Sequence, residues 1–194
     1  MIMTHTSSRD RVLKLCATAL LAALVALSAK LQIQIPAILG VERFHLGNAF
    51  CALSGILLGP WWGGLASGIG SIVFDLTDPM YVAESPITFV TKGLYGVIAG
   101  LVFHKLCKGK SNYRSELAAT LCAAAGYIVL YLAKNYFYNG LLLSGLDGMT
   151  AWAAVVQKAP SSLFNAAVAV LIAPALGVAI RRALRAARLD GMLA

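Results

Sequence analysis

The chain has 194 residues, of which 59% are hydrophobic and only 12% are charged, and its formal net charge is +8. This composition excludes a soluble globular domain, which would need many more charged residues to cover its surface, and the length leaves no room for an added soluble catalytic domain. The positive charge does not indicate nucleic-acid binding, because no basic stretch carries interleaved aromatic residues.

The apolar residues form six predicted membrane-spanning helices within a single membrane domain over residues 1–194. The first span begins after Arg9, Arg11 and Lys14 and resembles a secretory signal peptide, but a retained helix is preferred because further spans follow. An irregular stretch is predicted next, over residues 30–44. The six predicted spans cover about residues 12–29, 45–58, 61–76, 86–106, 116–143 and 150–179.

Spans two and three are separated only by Gly59 and Pro60, a strong turn signal, so they are predicted to form a tight hairpin. Both are short for a hydrocarbon core of about 30 Å, since an α-helix rises about 1.5 Å per residue. A polar loop over residues 75–85 follows, and Pro86 then occupies a first-turn position of span four. A basic segment, residues 105–114, connects spans four and five.

The basic residues indicate the orientation of the bundle. Eleven of the 16 Lys and Arg residues fall on one side of the predicted spans, and the other side is mostly acidic. Because positive charge marks the cytoplasmic side, the expected fold is an all-α polytopic membrane protein with both termini cytoplasmic. The cytoplasmic residues are Arg9, Arg11, Lys14, Lys105, Lys108, Lys110, Arg114, Arg181, Arg182, Arg185 and Arg188.

Three lysines, Lys92, Lys134 and Lys158, lie inside spans four, five and six, each in the outer half of its span. A charged side chain in hydrocarbon costs about 3 kcal/mol even on the mildest scales, so such a residue normally faces the protein interior or a wet cavity. Their matching depth therefore predicts that the three lysines meet in one region near the outer face.

Polar and aromatic residues recur around these lysines at helical spacing. Span five carries Tyr127, Tyr131, Lys134 and Tyr138 on one face, flanked by Asn135. We interpret these stripes as a binding pocket reached from outside, with rings for stacking and amides and lysines for orientation. The candidate binding residues are Arg43, His45, Asn48, Lys92, Tyr95, Tyr131, Lys134, Asn135, Tyr138, Lys158, Ser162 and Asn165.

An alternative interpretation is that the lysines pair with Asp75, Asp78, Glu84 or Asp147 and only lock the bundle. His45 has no second histidine or cysteine nearby and is not expected to bind a metal. No nucleophile motif or paired carboxylate is visible in the spans, so neither catalytic residues nor a cofactor is expected.

Four stretches of this sequence resemble one known family. They are residues 19–24 (ALLAAL), 45–49 (HLGNA) leading to 58–63 (LGPWWG), 89–94 (FVTKGL) with Ala99 and Gly100, and Lys158 to Pro160 with Asn165 and Pro174. With these residues in this order, the chain resembles the substrate-binding S components of energy-coupling factor (ECF) vitamin transporters.

The resemblance implies a vitamin site near the outer face, in a prokaryotic plasma membrane protein that works with a membrane scaffold subunit and two cytoplasmic ATPases. It also implies that the first helix contacts the scaffold through an Ala-xxx-Ala pattern, which Ala19 and Ala23 match. Ala22 and Ala26 offer a second register, so the contact face stays open, as does internal packing of these alanines.

The expected partners are a vitamin-like small molecule, the scaffold, the ATPases and the lipid bilayer, and no nucleic acid. The particular vitamin is left open: the tyrosine stripe fits a ring-bearing ligand and the lysines fit an anionic one. Two other functions are weighed against uptake. One is a small intramembrane enzyme using His45 and Asp75, and the other is a structural adaptor whose lysines are all ion-paired.

Overall fold

The structure, a computed structural model, describes residues 8–38 and 40–187. Arg188, one of the residues expected on the cytoplasmic side, lies outside the described residues, as does the side chain of Arg9. Five helices of the described part are long and apolar enough to cross a membrane. They are α1 (Ser8–Lys30), α2 (Gly47–Asp75), α3 (Ser85–Leu101), α4 (Tyr113–Ala133) and α5 (Gly148–Ala186).

Shorter elements join or extend these helices. A π-helical segment, Val102–Leu106, continues α3, and a longer one, Lys134–Leu143, continues α4. A 3-10 helix, Pro79–Glu84, leads from α2 into α3. Two strands, β1 (Gln32–Ala37) and β2 (Gly40–His45), lie between α1 and α2.

Helix α2 is folded back on itself at the predicted turn. Gly59 has φ +81°, which favours glycine, and Pro60 follows it inside the assigned helix. The Ser67 hydroxyl donates a hydrogen bond to the Cys51 carbonyl at 3.1 Å, although residues 16 apart in a straight helix are separated by about 24 Å. Helix α2 is therefore two antiparallel arms, a first arm (residues 47–58) and a second arm (residues 60–75).

A buried polar cluster holds this turn. In a helix the Ile56 carbonyl would accept a hydrogen bond from residue 60, but Pro60 has no N–H. Instead His104 Nε2 lies 2.9 Å from that carbonyl, and the Arg181 guanidinium donates to it as well. Arg181 Nε is 3.7 Å from Glu116 Oε1, and both side chains are buried. Helices α2, α4 and α5 and the π-helical end of α3 are thus tied together at what we call the basic end of the bundle.

The opposite end, which we call the hairpin end, differs from the prediction. Residues 30–44 were expected to be irregular, but β1 and β2 form an antiparallel pair, in register from Gln32 opposite His45 to Ala37 opposite Gly40. The irregular prediction is wrong because Pro36 and Gly40 signal breaks, whereas here they close the strand pair beside the turn. The fold is therefore mostly helical, with this small β-hairpin over one end.

Close packing of the helices depends on small residues, which recur four apart in the sequence at Gly64 and Gly68 and at Gly96 and Gly100. A Cβ on Gly96 would lie 2.7 Å from the Gly63 carbonyl oxygen, and one on Gly64 would lie 3.1 Å from the Gly93 carbonyl oxygen. The second arm of α2 and α3 therefore approach backbone to backbone. Such contact favours helix association in lipid, which supplies no hydrophobic drive between helices.

Candidate binding site

A polar cavity of about 60 Å³ lies beneath the β-hairpin, where the five helices converge. This is space for a few water molecules, at about 10–15 Å³ each. Strand β2 covers it, and α1 contributes two apolar residues to its lining. The polar and aromatic side chains that line it are Arg43 and His45 from β2; Ser71, Phe74 and Asp75 from α2; Thr88, Thr91 and Lys92 from α3; Tyr127, Tyr131 and Lys134 from α4 and its π-helical extension; and Ser162 and Asn165 from α5.

Seven of the twelve candidate residues line this cavity, although they come from four separate elements. They are Arg43, His45, Lys92, Tyr131, Lys134, Ser162 and Asn165. Helical spacing placed the α3, α4 and α5 residues on faces, and the packing of those helices turns the faces toward one point. Whether these side chains bind a substrate remains a prediction.

Asn48 and Tyr95 do not line the cavity but contact residues that do. The Lys92 amine donates a hydrogen bond to Asn48 Oδ1, and both side chains are buried. The ring of Tyr95 packs edge-on against the ring of Tyr127, with centroids 5.2 Å apart. Both residues therefore support the cavity wall from behind.

Lys158 also lies outside the lining and joins α5 to the hairpin. Its amine is 3.4 Å from Glu42 Oε1 and donates to the Val41 carbonyl at 3.4 Å. The Ser161 hydroxyl donates to the other oxygen of the same carboxylate. The helical spacing of α5 predicts that Lys158 faces the pocket. That spacing contains no information about β2, which packs against α5 and pairs with the lysine.

Asn135 and Tyr138 do not line the cavity, and Tyr138 leaves the predicted stripe because the helix changes type at Lys134. In a π-helix hydrogen bonds run from i to i+5, so side chains beyond that point rotate away from the α-helical face. Tyr138 donates to the Ala83 carbonyl at 2.9 Å, in the segment before α3. Asn135 is buried and donates to the Tyr131 carbonyl at 2.8 Å.

Two of the three lysines are paired with carboxylates. Lys134 Nζ lies 2.5 Å from Glu84 Oε2, one of the acids expected in the locking alternative, and Lys158 pairs with Glu42, which was not. Lys92 has no carboxylate at ion-pair distance among the described residues, and its amine sits 4.4 Å from the centre of the Tyr127 ring. The locking alternative therefore describes Lys134 and Lys158 but not Lys92.

Arg43 connects the cover of the cavity to its wall. Its guanidinium lies 3.8 Å from Asp75 Oδ1 and stacks 3.4 Å from the centre of the Tyr81 ring. Asp75 Oδ2, Arg43 Nη1 and the Ser162 hydroxyl are buried without a hydrogen-bond partner in the described part of the chain. Buried polar groups normally have partners, so these three atoms of lining residues retain unused hydrogen-bonding capacity.

Asn165 of α5 binds the backbone of β2, and His45 joins the end of β2 to the start of α2. The Asn165 side chain accepts a hydrogen bond from the His45 backbone N–H at 2.8 Å and donates to the Arg43 carbonyl at 2.8 Å. The imidazole Nδ1 of His45 accepts from the Gly47 N–H at 3.0 Å. Burial, followed by the nearby charges of Lys92 and Arg43, lowers the pKa of His45 well below its usual value.

Several lining residues were missed as binding candidates. The sequence does contain a signal for three of them. Thr88 and Tyr127 fall on polar helix faces, and Asp75 falls at the predicted mouth of the pocket. Ser71, Phe74 and Thr91 had none, because a lone serine, phenylalanine or threonine in an apolar helix is usually packing.

The chain is similar to a known protein family and to a solved structure. The family model for the ECF-type riboflavin transporter S component matches residues 9–182. Over 109 residues the chain is 33% identical to an uncharacterized protein in a gap 3' region of Pyrococcus woesei, which covers 56% of this chain and 68% of that protein. The crystal structure of the S-component for biotin from an ECF-type ABC transporter superimposes with a TM-score of 0.59 at 18% identity, covering 88% of this chain and 94% of the other.

Proposed function

The chain belongs to the family of ECF-type riboflavin transporter S components, and from that membership we propose that it captures a riboflavin-like vitamin at the outer face of a prokaryotic plasma membrane. Family and fold are those of substrate-binding transporter subunits and not of enzymes. The observation that supports the binding role most directly is the convergence of Arg43, Lys92, Tyr131 and Asn165 on one cavity from four elements.

The lining favours a ring-bearing ligand with hydroxyl groups over a strongly anionic one. Tyr127 and Tyr131 present rings 5.7 Å apart on one wall, and Phe74 contributes a third ring to the lining. The threonines of α3, Ser162 and Asn165 offer neutral hydrogen-bonding groups. Lys134 and Lys158 have carboxylate partners, and Arg43 lies beside Asp75. Among the described residues at the cavity, Lys92 therefore adds the uncompensated positive charge.

A vitamin enters only if the hairpin moves. Ligand pockets usually enclose about 300–1,000 Å³, whereas this cavity has about 60 Å³. The polar contacts that hold the hairpin closed run through side chains, and they include Arg43 to Asp75, Glu42 to Lys158, and Asn165 to the β2 backbone. We propose that these contacts open for entry and close again over the bound vitamin.

Six crossings and a cytoplasmic basic end complete the proposal. The two arms of α2 are about 18 Å and about 24 Å long, so together they make a short pair of crossings beside four longer helices. Lys105, Lys108 and Lys110 lie at the basic end, which the positive-inside rule assigns to the cytoplasm. The hairpin end then faces outward, toward the vitamin.

Helix α1 supplies the surface for the scaffold subunit that S components work with. Ala19 and Ala23 are exposed, whereas Ala22 is buried, and a Cβ added to Gly70 of the second arm would meet the Ala22 carbonyl oxygen. The Ala22/Ala26 register therefore faces the bundle, which leaves Ala19 and Ala23 for close approach of a partner helix. We propose that the scaffold, with its two ATPases, docks there.

Fluorescence titration tests the substrate. Purified protein in nanodiscs should quench riboflavin fluorescence saturably at one molecule per chain, and biotin and thiamine should not compete. Competition by biotin with no riboflavin binding would contradict the riboflavin-like class and leave a transporter subunit of different specificity. Binding of none of these ligands would contradict the proposed pocket.

Uptake by cells tests the docking surface. Ala19→Trp and Ala23→Trp place bulk on the exposed stripe of α1, so uptake should fall to background while the purified protein still binds riboflavin. Ala125→Trp, at an exposed position of α4, is the matched control and should leave uptake unchanged. Normal uptake with both α1 changes combined would remove the docking proposal.

A further inference from the structure

The outward side of the β-hairpin is apolar. Leu31, Ile33, Ile35 and Ile38, which we call the hairpin face, are 50–70% exposed within eight residues. The connection of residues 76–84 exposes Leu76, Met80 and Val82 but carries Asp78 and Glu84 among them. The other two inter-helix loops are polar: residues 107–112 contain two lysines, a glycine, a serine and an asparagine, and residues 144–147 contain one apolar residue. A cover that faced water would be expected to resemble those loops.

The charged side chains of the hairpin point toward the helices, away from the hairpin face. Glu42 and Arg43 are the charged residues of β1 and β2, and both turn inward, to Lys158 and to Asp75. Glu42 is only 5% exposed. An inward charged side and an outward aliphatic side are the reverse of a water-facing loop.

Side chains of α5 satisfy one edge of the hairpin. Lys158 donates to the Val41 carbonyl, and Asn165 bonds both the Arg43 carbonyl and the His45 N–H. Backbone N–H and C=O groups without hydrogen-bond partners are costly in a bilayer. Because these groups of β2 have partners, this edge of the hairpin can lie where little water is present. Along the other edge, Gln157 of α5 bonds the Ile38 N–H just after β1. We see no side-chain hydrogen bond to the backbone of residues 32–37 in the described part of the chain, and such an edge fits the headgroup boundary better than the hydrocarbon centre.

An apolar groove of about 270 Å³ continues the hairpin face toward α5. Phe44 and Phe164 pack edge to face in it, with centroids 5.3 Å apart. Phe164 is itself half exposed and lies next to Leu163, which is also exposed on the lipid-facing side of α5. The groove is therefore continuous with a helix surface that lipid covers. Its apolar lining is Leu31, Ile33, Phe44, Leu46, Phe164 and Val168.

We propose that the hairpin face is a lipid-binding surface, inserted in the leaflet at the hairpin end, and that the groove beside Phe164 holds an acyl chain of that leaflet. A lipid fits better than a protein partner because the face has no charged side chain and adjoins the lipid-covered surface of α5. The cover of the cavity then opens by moving through the headgroup boundary, and not by lifting into water.

Spin labelling in nanodiscs tests this placement without any vitamin. Cys16, Cys107 and Cys122 are replaced by serine, while buried Cys51 is kept. Single labels are placed by Ile33→Cys and Ile35→Cys, with Leu171→Cys as a lipid-facing control and Ser144→Cys as a loop control. Collision with oxygen, which concentrates in lipid, is compared with collision with a water-soluble nickel chelate.

Labels at Ile33 and Ile35 should resemble the label at Leu171, with oxygen collisions exceeding nickel collisions. Nickel collisions as frequent as at Ser144 would place the face in water and overturn the proposal. Exclusion of both reagents would indicate a protein partner or a second copy, which also overturns it.

A second experiment needs no cysteine variants. A phosphatidylcholine with a photoreactive acyl chain should label the peptide spanning residues 31–46. Labelling of other exposed helices alone would contradict the proposal that the groove holds an acyl chain.

Discussion

Both ends of the bundle contain buried ion pairs, but the two ends are built differently. At the basic end, Arg181 and Glu116 sit among packed helices, and Arg181 also satisfies the carbonyl that Pro60 leaves without a donor. At the hairpin end, Arg43 with Asp75 and Lys158 with Glu42 join a two-stranded sheet to helices beside a cavity. The same kind of ion pair thus joins four helical segments at the basic end and joins the hairpin, the proposed moving cover, to the helices at the other end.

The difference indicates which end of the bundle would open at the lower free-energy cost. Opening the basic end would expose Glu116, which has no exposed surface, together with the turn of α2. Opening the hairpin end exposes Glu42 and Lys158 to water or headgroups, which solvate them again, so the penalty for separating charges is smaller there. Four changes test this comparison, the largest expected effect first.

Arg181→Met should destabilise the fold by about 3–5 kcal/mol, because it leaves the Glu116 charge buried without its partner and the Ile56 carbonyl with one donor fewer. The measurement is thermal unfolding in detergent. Arg182→Met, at the exposed neighbouring position, is the matched control and should stay within about 0.5 kcal/mol of the parent. Equal stability of the two variants would show that the basic end is not the rigid end.

Lys158→Ala should weaken vitamin binding by about 2 kcal/mol, roughly 30-fold, with little change in the unfolding temperature. The substitution removes the ion pair between Lys158 and Glu42 that stabilises the closed hairpin. The closed, vitamin-bound state is therefore less populated. Adding Glu42→Gln should recover part of the affinity, because no carboxylate is then left unpaired. A large fall in unfolding temperature would show that this pair locks the bundle instead.

Asn165→Ala should lower affinity about tenfold, since two hydrogen bonds to β2 are lost, each worth about 0.5–1.5 kcal/mol. Gln157→Ala, which removes one exposed hydrogen bond to the Ile38 N–H, is the control and should change affinity less than threefold. Titration calorimetry measures both. Unchanged affinity in the Asn165→Ala variant would show that the hydrogen bonds from Asn165 to β2 do not contribute to closure of the hairpin.

The smallest effect concerns pH. The pKa of His45 in the closed protein is held below its ordinary value of about 6.5, so closure favours the neutral imidazole. The stabilisation is complete above about pH 6.5 and is lost as pH falls toward the lowered pKa of the closed state. Affinity should therefore be constant from about pH 8 to pH 7 and decline below pH 6.5, and His45→Gln should flatten this dependence. A decline of equal size in the variant would assign the effect to another group.

Much of the scaffold could be predicted from spacing alone. The turn at Gly59 and Pro60, the glycine contacts between α2 and α3, and the inward-facing position of Lys92 all follow from local pattern and from the cost of charge in lipid. The departures have physical causes as well. Tyr138 left the predicted face because α4 continues as a π-helix, which alters the 3.6-residue period on which the prediction relied.

Contacts between segments distant in sequence could not be predicted in this way. Lys158 and Glu42 are separated by more than a hundred residues, and nothing local to either residue indicates the other. The choice between the two alanine registers of α1 was equally undetermined, because small residues on two adjoining faces are equivalent until one face packs on Gly70.

The sequence by itself determined an apolar helical membrane protein and which helix faces are polar, because these follow from periodicity and from the cost of charges in lipid. Its orientation stays a prediction from the charge bias. Only the tertiary structure decided that residues 32–45 form a β-hairpin cover, which lysines are neutralised, and which side chains meet at one cavity. Those depend on distances between separate helices, and no single helix's pattern contains them.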